Sequence, residues 1–203
     1  SLGLPIRDPR AAADLITSSE PRRIDAGRCT TPGGDRYWIG VLGGGFDSVV
    51  SERAHRWSWP KGPMRYNLAI ARELPVFKPI PYAIEVDGTR LETTAMLVAV
   101  GNGPAFGGGM HVLPDAKYDD GLLDVLILHA VSIPEFLRVF PRVFKGNHVS
   151  HPKVQILRGT SVRLETHDIV AQADGEPFHP MPIEVEIAPG ALRVIAPPGR
   201  YLS

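Results

Sequence analysis

Glycine and proline residues separate short apolar stretches along almost the whole chain. The 203 residues include 21 glycines and 20 prolines, and both residue types are poorly tolerated in the middle of a helix. Apolar runs bounded by such residues are typical of strands joined by turns. The pattern therefore predicts a mainly β protein with a few helices, and we expect an antiparallel β-sandwich covered by those helices.

Several elements can be placed on this pattern. Apolar and polar residues alternate between Ile80 and Val100, which predicts a hairpin with Asp87-Gly88 as its tight turn. Residues 36–42 are predicted to form one strand, and the end of the chain to form two, at 183–187 and 191–195. Helices are predicted at residues 9–18, from about residue 47, and at residues 65–73.

The segment 133–145 has the periodicity of an amphipathic helix. At 100° per residue its apolar residues fall on one arc, while Arg138, Arg142 and Lys145 group on the opposite face. Two interpretations are open. The helix packs on the core with a solvated basic side, or it lies at the surface with its cations against anionic lipid head groups.

Composition excludes several classes of protein. Basic and acidic residues number 22 each, so the formal net charge is zero and nothing indicates nucleic-acid binding. No apolar run in the sequence approaches the roughly 20 residues of a transmembrane helix, and no signal peptide is visible. The single cysteine, Cys29, excludes an intramolecular disulfide, so a cytoplasmic protein is expected.

Two glycine-rich segments, which begin at Gly40 and Gly101, invite comparison with a dinucleotide-binding loop. That fingerprint requires the spacing Gly-x-Gly-x-x-Gly and a helix directly after it, and neither segment has the spacing. We therefore interpret these glycines as places where the backbone passes close to a neighbour or a ligand. Asn102 and Phe106, in the second segment, are candidate substrate-binding residues.

Four aspartates, Asp115, Asp119, Asp120 and Asp124, lie within ten residues. Carboxylates at this density repel each other unless geometry separates them or a cation binds. Mg²⁺ prefers oxygen ligands, often one or two carboxylates with water, and a turn can add backbone carbonyls. Two interpretations stay open here: a Mg²⁺ site, or a hairpin turn at Asp120-Gly121 that leads into a strand at residues 123–128.

A further turn, Ala173-Asp-Gly-Glu176, follows a predicted strand at residues 169–173. Turn propensity explains Asp174 and Gly175. It does not explain Glu176, whose carboxylate at the rim of a turn is well placed to reach a hydroxyl group. Asp174 either orients neighbouring groups or only forms the turn.

Taken in order, Gly40-Val-Leu-Gly-Gly-Gly-Phe-Asp47, the segment from Gly101, the aspartate-rich segment and Ala173-Asp-Gly-Glu176 resemble the C-terminal lobe of the diacylglycerol kinase family. These are soluble bacterial lipid kinases related to sphingosine kinases. The resemblance implies a structural Mg²⁺ held by Asp120 and by the backbone carbonyls of Lys117 and Leu122. It also implies that Glu176 is the catalytic general base, with Asp174 as a weaker catalytic candidate.

The same resemblance implies phosphoryl transfer from ATP to a lipid hydroxyl, with diacylglycerol converted to phosphatidic acid as the first expectation. A sphingoid base, a ceramide-like lipid or an undecaprenol-type alcohol are alternative substrates. The family's nucleotide-binding lobe carries Gly-Gly-Asp-Gly-Thr and Gly-Thr-Gly-Asn-Asp-Phe-Ala motifs, and neither occurs in the 203 residues. ATP is therefore expected to bind through a missing lobe, and the chain alone is expected to be inactive.

On this basis we expect residues 1–23 to be a remnant of that lobe with a linker, 24–196 to be the β-rich lipid kinase domain, and 197–203 to be a tail. The expected partners are ATP and a lipid substrate at the inner membrane face, where the protein would be peripheral, and the expectation leaves room for a homodimer. The alternative of a different class is a β-rich lipid-binding or interaction domain without catalysis.

Overall fold

The structure, a computed structural model, describes residues 2–5, 8–60, 62–105, 109–197 and 202. Within these ranges the strands are β1 (Arg22–Thr31), β2 (Gly34–Trp38), β3 (Val41–Gly45), β4 (Ile80–Val86), β5 (Thr89–Gly101), β6 (Leu123–His129), β7 (Val154–Gly159), β8 (Ser161–Glu165), β9 (Val170–Ala173), β10 (Glu176–Pro180) and β11 (Ile183–Val194). The α-helices are α1 (Pro9–Ser18), α2 (Phe46–Arg56), α3 (Pro63–Glu73) and α4 (Ile133–Val139). Two 3₁₀ helices span Phe140–Lys145 and Asn147–Ser150.

The strands form one antiparallel sheet in the order β10-β9-β3-β5-β4-β8-β11-β1-β2, with β6 beside β5 and β7 beside β6. The sheet branches at β5. Residues 89–95 of β5 pair with β4, whereas residues 97–101 pair with β3 and with β6. The predicted mainly β, antiparallel fold with a few helices is therefore confirmed.

Apolar residues cover both faces of β5 and β6. Val98 and Val100 of β5 belong to the main core, together with Val125 and Ile127 of β6. The alternate residues of the same strands point the other way, because successive side chains of a strand face opposite sides, and they form a second cluster that includes Ala99 and Leu126. This second face is the one that carries the cavity described below.

Local signals account for two elements as predicted. α1 spans the predicted residues, since the Asp8 carboxylate accepts a hydrogen bond from the Ala11 N–H at 3.0 Å and proline occupies the first helical position. The hairpin of β4 and β5 turns at Asp87 and Gly88, whose φ angles are 47° and 81°. Such positive φ values suit an Asp-Gly turn.

Two strand predictions were wrong, and one strand was missed. The segment 36–42 contains the end of β2 and the start of β3, because the chain bends between Trp38 and Val41. β10 was missed, since it contains Pro177 and Pro180 and is tolerated only as the edge strand that it is. The two predicted terminal strands are the single strand β11, whose pairing with β1 shifts register between Ile24 and Ala26.

The predicted helix at 133–145 is two segments. α4 ends at Val139, and the chain continues as the 3₁₀ helix Phe140–Lys145. Pro141 explains the change, because proline has no N–H to donate and its ring clashes with the preceding turn of an α-helix. Phe136, Val139 and Val143 are buried, whereas Ile133, Leu137 and Phe144 are exposed. The helix therefore packs on the core and also presents apolar side chains to solvent.

Candidate functional site

A cavity of about 890 Å³ lies on the second face of β5 and β6, between these strands and α2, α3, α4 and the 3₁₀ helix at residues 140–145. Its walls are mostly apolar and include Ile70, Leu97, Leu126, Phe136 and Phe140. Large apolar cavities with a few polar groups are typical small-molecule sites. This cavity suits the hydrocarbon part of a ligand.

The polar groups of the cavity include Asp47, Gln172 and Asp174. Asp47 is the second residue of α2, which follows the glycines of β3, and Gln172 of β9 pairs with Gly43 of β3. Oδ1 of Asp47 and Oε1 of Gln172 are buried, and neither has a hydrogen-bond partner among the described residues. Burial raises the pKa of Asp47 to about 7, although backbone N–H groups at residues 47 and 48 oppose the rise.

Sequence reasoning missed Asp47 and Gln172 as site residues. Asp47 was interpreted only as part of a helix start. The available signal was a carboxylate in the first helical turn directly after a glycine run, where the backbone can approach closely: a Cβ at Gly43 would lie 2.5 Å from Oδ2 of Asp47. Gln172 had no such signal, since β3 and β9 are brought together only by the fold.

Asp174 holds the start of β3. Its carboxylate accepts hydrogen bonds from the backbone N–H groups of Ile39 at 2.8 Å, Gly40 at 2.9 Å and Val41 at 3.1 Å. A Cβ at Gly40 would lie 2.7 Å from the Asp174 carboxylate, so glycine is needed for this approach. With three donors on it, the carboxylate anchors the turn and positions the residues that follow.

Glu176 is the first residue of β10 and pairs across the turn with Ala173. The residue is exposed, and no hydrogen bond or ion pair joins its side chain to the residues that the structure describes. Asp174 and Gly175, its immediate predecessors, line the polar side of the cavity. The turn therefore sets a free carboxylate beside the cavity.

The two predicted substrate-binding residues have different outcomes. Asn102 is fully buried, and its side-chain amide donates hydrogen bonds to the carbonyl oxygens of Asp25 at 2.8 Å and Ile39 at 3.1 Å. It ties β1 to the segment before β3 and is not among the residues that line the cavity, so the structure offers no support for a contact with substrate. Phe106 lies outside the described residues.

The aspartate-rich segment lies in the loop before β6. Asp120 accepts a hydrogen bond from the Leu122 N–H at 3.2 Å and forms an ion pair with Arg158, which also contacts Asp124 at 2.9 Å. Burial is the main reason that the pKa of Asp124 is raised, and its Oδ2 is buried without a partner among the described residues. The described residues contain no group of three or more His, Cys, Asp or Glu side chains that could hold a metal. Asp120 and the unsatisfied Oδ2 of Asp124 supply carboxylate oxygens, the type of ligand that hard cations prefer.

Asp25 anchors this loop and was not predicted. It is almost fully buried, and its carboxylate accepts hydrogen bonds from the N–H groups of Gly121 at 2.8 Å and Gly190 at 2.7 Å. Its backbone N–H donates to the Tyr118 carbonyl. Asp25 therefore fixes the aspartate-rich loop against β1 and β11.

Two histidines that are close together in the sequence, His148 and His151, have structural contacts. His148 is buried in the cavity wall, and its Nε2 lies 2.9 Å from the Val112 carbonyl oxygen. Burial lowers the pKa of His148, so the ring is neutral near pH 7. His151 lies 3.4 Å from the Glu135 carboxylate.

No helix within the described ranges is long and apolar enough to cross a bilayer.

Comparison with known proteins supplies the family. Residues 40–196 match the model of the YegS C-terminal NAD kinase β-sandwich-like domain. The chain is 39% identical over 197 residues to a diacylglycerol kinase of Mycobacterium tuberculosis (strain ATCC 25618 / H37Rv), covering 96% of this chain and 64% of that protein. It is 27% identical over 178 residues to a diacylglycerol kinase of Bacillus subtilis (strain 168), covering 87% and 57%.

A solved structure of a candidate diacylglycerol kinase from Bacillus anthracis str. Sterne is similar in fold, with a TM-score of 0.69 and 25% identity. The alignment covers 93% of this chain and 61% of that one. The chain thus spans less than two thirds of the length of the relatives that it matches. Since the family model matches well over half of it, the chain belongs to the YegS C-terminal domain family, as the C-terminal lobe of a diacylglycerol kinase-like protein.

Proposed function

We propose that this chain is the substrate-binding lobe of an ATP-dependent lipid kinase whose substrate is diacylglycerol and whose product is phosphatidic acid. One observation carries the proposal: the apolar cavity ends in polar groups beside the turn of Asp174 and Gly175. An acyl chain would occupy the apolar walls. The glycerol hydroxyl would then lie at the polar side, close to Glu176.

In this proposal the residues of the turn have separate parts. Glu176 accepts the proton of the lipid hydroxyl as the hydroxyl oxygen attacks the γ-phosphorus of ATP. The bond from that phosphorus to the β,γ-bridging oxygen breaks and ADP leaves, and general-base assistance of this kind is typical of phosphoryl transfer. Asp174 is a positioning residue, because its three N–H partners fix the turn that carries Glu176. Asp47 and Gln172 offer unsatisfied oxygens to polar groups of the lipid.

ATP and Mg²⁺ are the implied cofactors. ATP would bind to a nucleotide-binding lobe outside these 203 residues, so the chain alone is expected to bind lipid without phosphorylating it. Asp120 and the carbonyls of Lys117 and Leu122 would hold a Mg²⁺ that stabilises the loop before β6. That ion would supply fixed positive charge among the aspartates and no chemical step.

The lipid part of the proposal is tested by binding of dioctanoylglycerol, a short-chain diacylglycerol, to the 203-residue chain. Leu97→Trp puts a large ring into the cavity wall and should abolish binding. Leu91→Trp is the matched control, because Leu91 is also a partly buried leucine of β5 but does not line the cavity. If the unmodified chain does not bind dioctanoylglycerol, or if both variants bind alike, the proposed lipid site is rejected.

The catalytic part is tested by Glu176→Gln in the kinase completed by its ATP-binding lobe. General-base assistance is typically worth about 10²- to 10⁴-fold in rate, so kcat for diacylglycerol should fall by that order while the melting temperature stays the same. Glu184→Gln, at another exposed glutamate that follows the site in sequence, controls for the loss of a charge. If Glu176→Gln retains more than about a tenth of wild-type kcat, the loss of rate is smaller than general-base assistance provides, and the proposed role of Glu176 is rejected.

The metal part is tested by thermal unfolding of the chain with and without millimolar Mg²⁺. A ligand that binds only the folded state adds stability of RT ln(1 + [L]/Kd), so the melting temperature should rise with Mg²⁺. Asp120→Asn should remove that rise, whereas Asp35→Asn, in β2, should keep it. If Mg²⁺ raises the melting temperature of the wild type and of Asp120→Asn equally, Asp120 does not bind Mg²⁺.

A further inference from the structure

Large apolar side chains and cations are exposed together on one border of the cavity. Leu137 of α4 and Phe144 of the following 3₁₀ helix are 56% and 50% exposed. The same stretch of chain contains three exposed cations, Arg138, Arg142 and Lys145. None of these three cations has an ion pair with a residue that the structure describes. We call residues 133–145 the docking segment.

The docking segment lies where the cavity meets solvent. Phe144 lines the cavity and is half exposed, and Tyr66 of α3 also lines the cavity and is exposed. Phe136, Val139 and Val143, the buried residues of the segment, line the cavity as well. One short segment thus faces both the cavity and the solvent.

The charge around the cavity is unevenly distributed. The whole chain has a formal net charge of zero. α3 and the docking segment together contain five lysines and arginines but only two glutamates. Both glutamates already have cationic or histidine partners, since Glu73 pairs with Arg53 and Glu135 lies next to His151. The cavity entrance is therefore locally cationic.

We infer that the docking segment is the surface on which the protein rests on an anionic lipid bilayer. Leu137 and Phe144 insert at the level of the head groups, while the long arginine and lysine side chains reach the phosphates. With zero net charge, long-range attraction contributes little, and local cations provide the affinity. This inference rests on the proposed function, because it lets a lipid pass from the bilayer into the cavity without crossing water.

The test is co-sedimentation of the 203-residue chain with phosphatidylcholine vesicles that contain or lack phosphatidylglycerol. The chain should bind the anionic vesicles far better than the neutral ones. A cation near an anionic leaflet adds about fivefold to the partition coefficient, so Arg142→Gln should weaken binding by about that factor and the double variant Arg142→Gln/Lys145→Gln by about 25-fold. Leu137→Ser and Phe144→Ser should each weaken it as well.

Helix α1 supplies matched controls, because it buries none of its residues and does not line the cavity. Ile16→Ser removes an apolar side chain that is 62% exposed, and Arg10→Gln removes an exposed cation. Both control variants should bind vesicles like the wild type. If they weaken binding as much as Leu137→Ser and Arg142→Gln do, the effect is non-specific and the docking segment is not the binding surface.

Dioctanoylglycerol binding, measured without vesicles, separates this inference from the proposed function. The variants at Leu137, Arg142 and Lys145, which do not line the cavity, support the inference if they lose vesicles but bind dioctanoylglycerol normally. A wild-type chain that binds dioctanoylglycerol but neither type of vesicle, or both types equally, overturns the inference and leaves the lipid site standing. A chain that binds anionic vesicles through the docking segment but not dioctanoylglycerol supports the surface and rejects the lipid site.

Discussion

At the scale of single residues, three aspartates differ in how their carboxylate oxygens are satisfied. Asp25 has a backbone N–H donor on each oxygen, and Asp174 has three donors. Asp47 has backbone donors too, but its Oδ1 has no partner among the described residues. Buried charges are costly unless hydrogen-bonded. Asp25 and Asp174 therefore hold loops in place, and Asp47 is the one of these three whose carboxylate is incompletely satisfied by the described residues.

Asp47 should make stability depend on pH. Its pKa is about 7 in the folded chain and about 3.9 when unfolded. Because the folded pKa is the higher one, the stabilising contribution of Asp47 is fully present below about pH 4. As the pH rises to about 7, the free energy of unfolding falls by at most about 4 kcal/mol. In Asp47→Asn this loss should disappear, so the variant should be more stable than the wild type at pH 8. The difference between their free energies of unfolding should shrink as the pH falls toward 4.

The measurement is urea unfolding of both proteins between pH 4 and 8. Asp14→Asn, at an exposed aspartate of α1, is the control and should follow the wild-type pH profile. Parallel profiles for the wild type and Asp47→Asn would mean that Asp47 titrates alike in the folded and unfolded chains.

At the scale of elements, the pairing of β1 with β2 depends on one close approach. Gly27 and Trp38 are cross-strand partners, and the Trp38 ring lies over Gly27. The ring is almost completely buried and meets Phe178 edge-on, with a centroid distance of 5.9 Å. Glycine is required at residue 27 because the ring occupies the space of a side chain.

Gly27→Ala should destabilise the chain strongly. The added Cβ would lie 2.1 Å from a Trp38 ring atom, and overpacking typically costs about 1–3 kcal/mol, occasionally more. For a chain of this size, that loss lowers the melting temperature by about 3–10 °C. Gly33→Ala in the same hairpin is the control, since its Cβ would meet nothing closer than 3.8 Å. Similar melting temperatures for the two variants would show that the ring moves aside at little cost.

Sequence reasoning succeeded where the signal is local. The Asp87-Gly88 turn and helix α1, which Asp8 caps, need only neighbouring residues, and both elements are where they were predicted. It failed at β10, because its prolines argue against a strand unless the strand lies at a sheet edge. The residues of β10 themselves do not indicate that it is an edge strand. Sequence reasoning also missed Asp47 and Gln172, which line the same cavity because β3 pairs with β9.

At the scale of the whole molecule, the sheet is held together by strands from the two ends of the chain. β11 pairs with both β1 and β8. Near the termini, Leu2 and Leu202 pack in the same apolar cluster with Ile24 and Tyr118. β11 therefore connects the β1–β2 hairpin to the rest of the sheet.

A chain that stops after residue 182 should fail to fold cooperatively. It loses β11, so β1 and β8 both become unpaired edges and the inner apolar residues Ile183 and Val185 are absent. Thermal unfolding followed by circular dichroism should show no sharp transition. A chain that begins at residue 19 is the control, because α1 buries none of its residues, and it should still melt cooperatively. A sharp transition in the chain that stops after residue 182 would mean that β11 is dispensable.

The pairing of β1 with β11 also has a consequence during synthesis. A ribosome adds roughly 5–20 residues per second, so β1 emerges on the order of ten to thirty seconds before its partner is made. Contacts between residues so distant in the chain also slow folding itself. Through that interval the nascent chain exposes a long strand edge, which is an aggregation hazard. We therefore expect the yield of folded protein from cells to depend on translation rate and on chaperones more than its final stability would suggest.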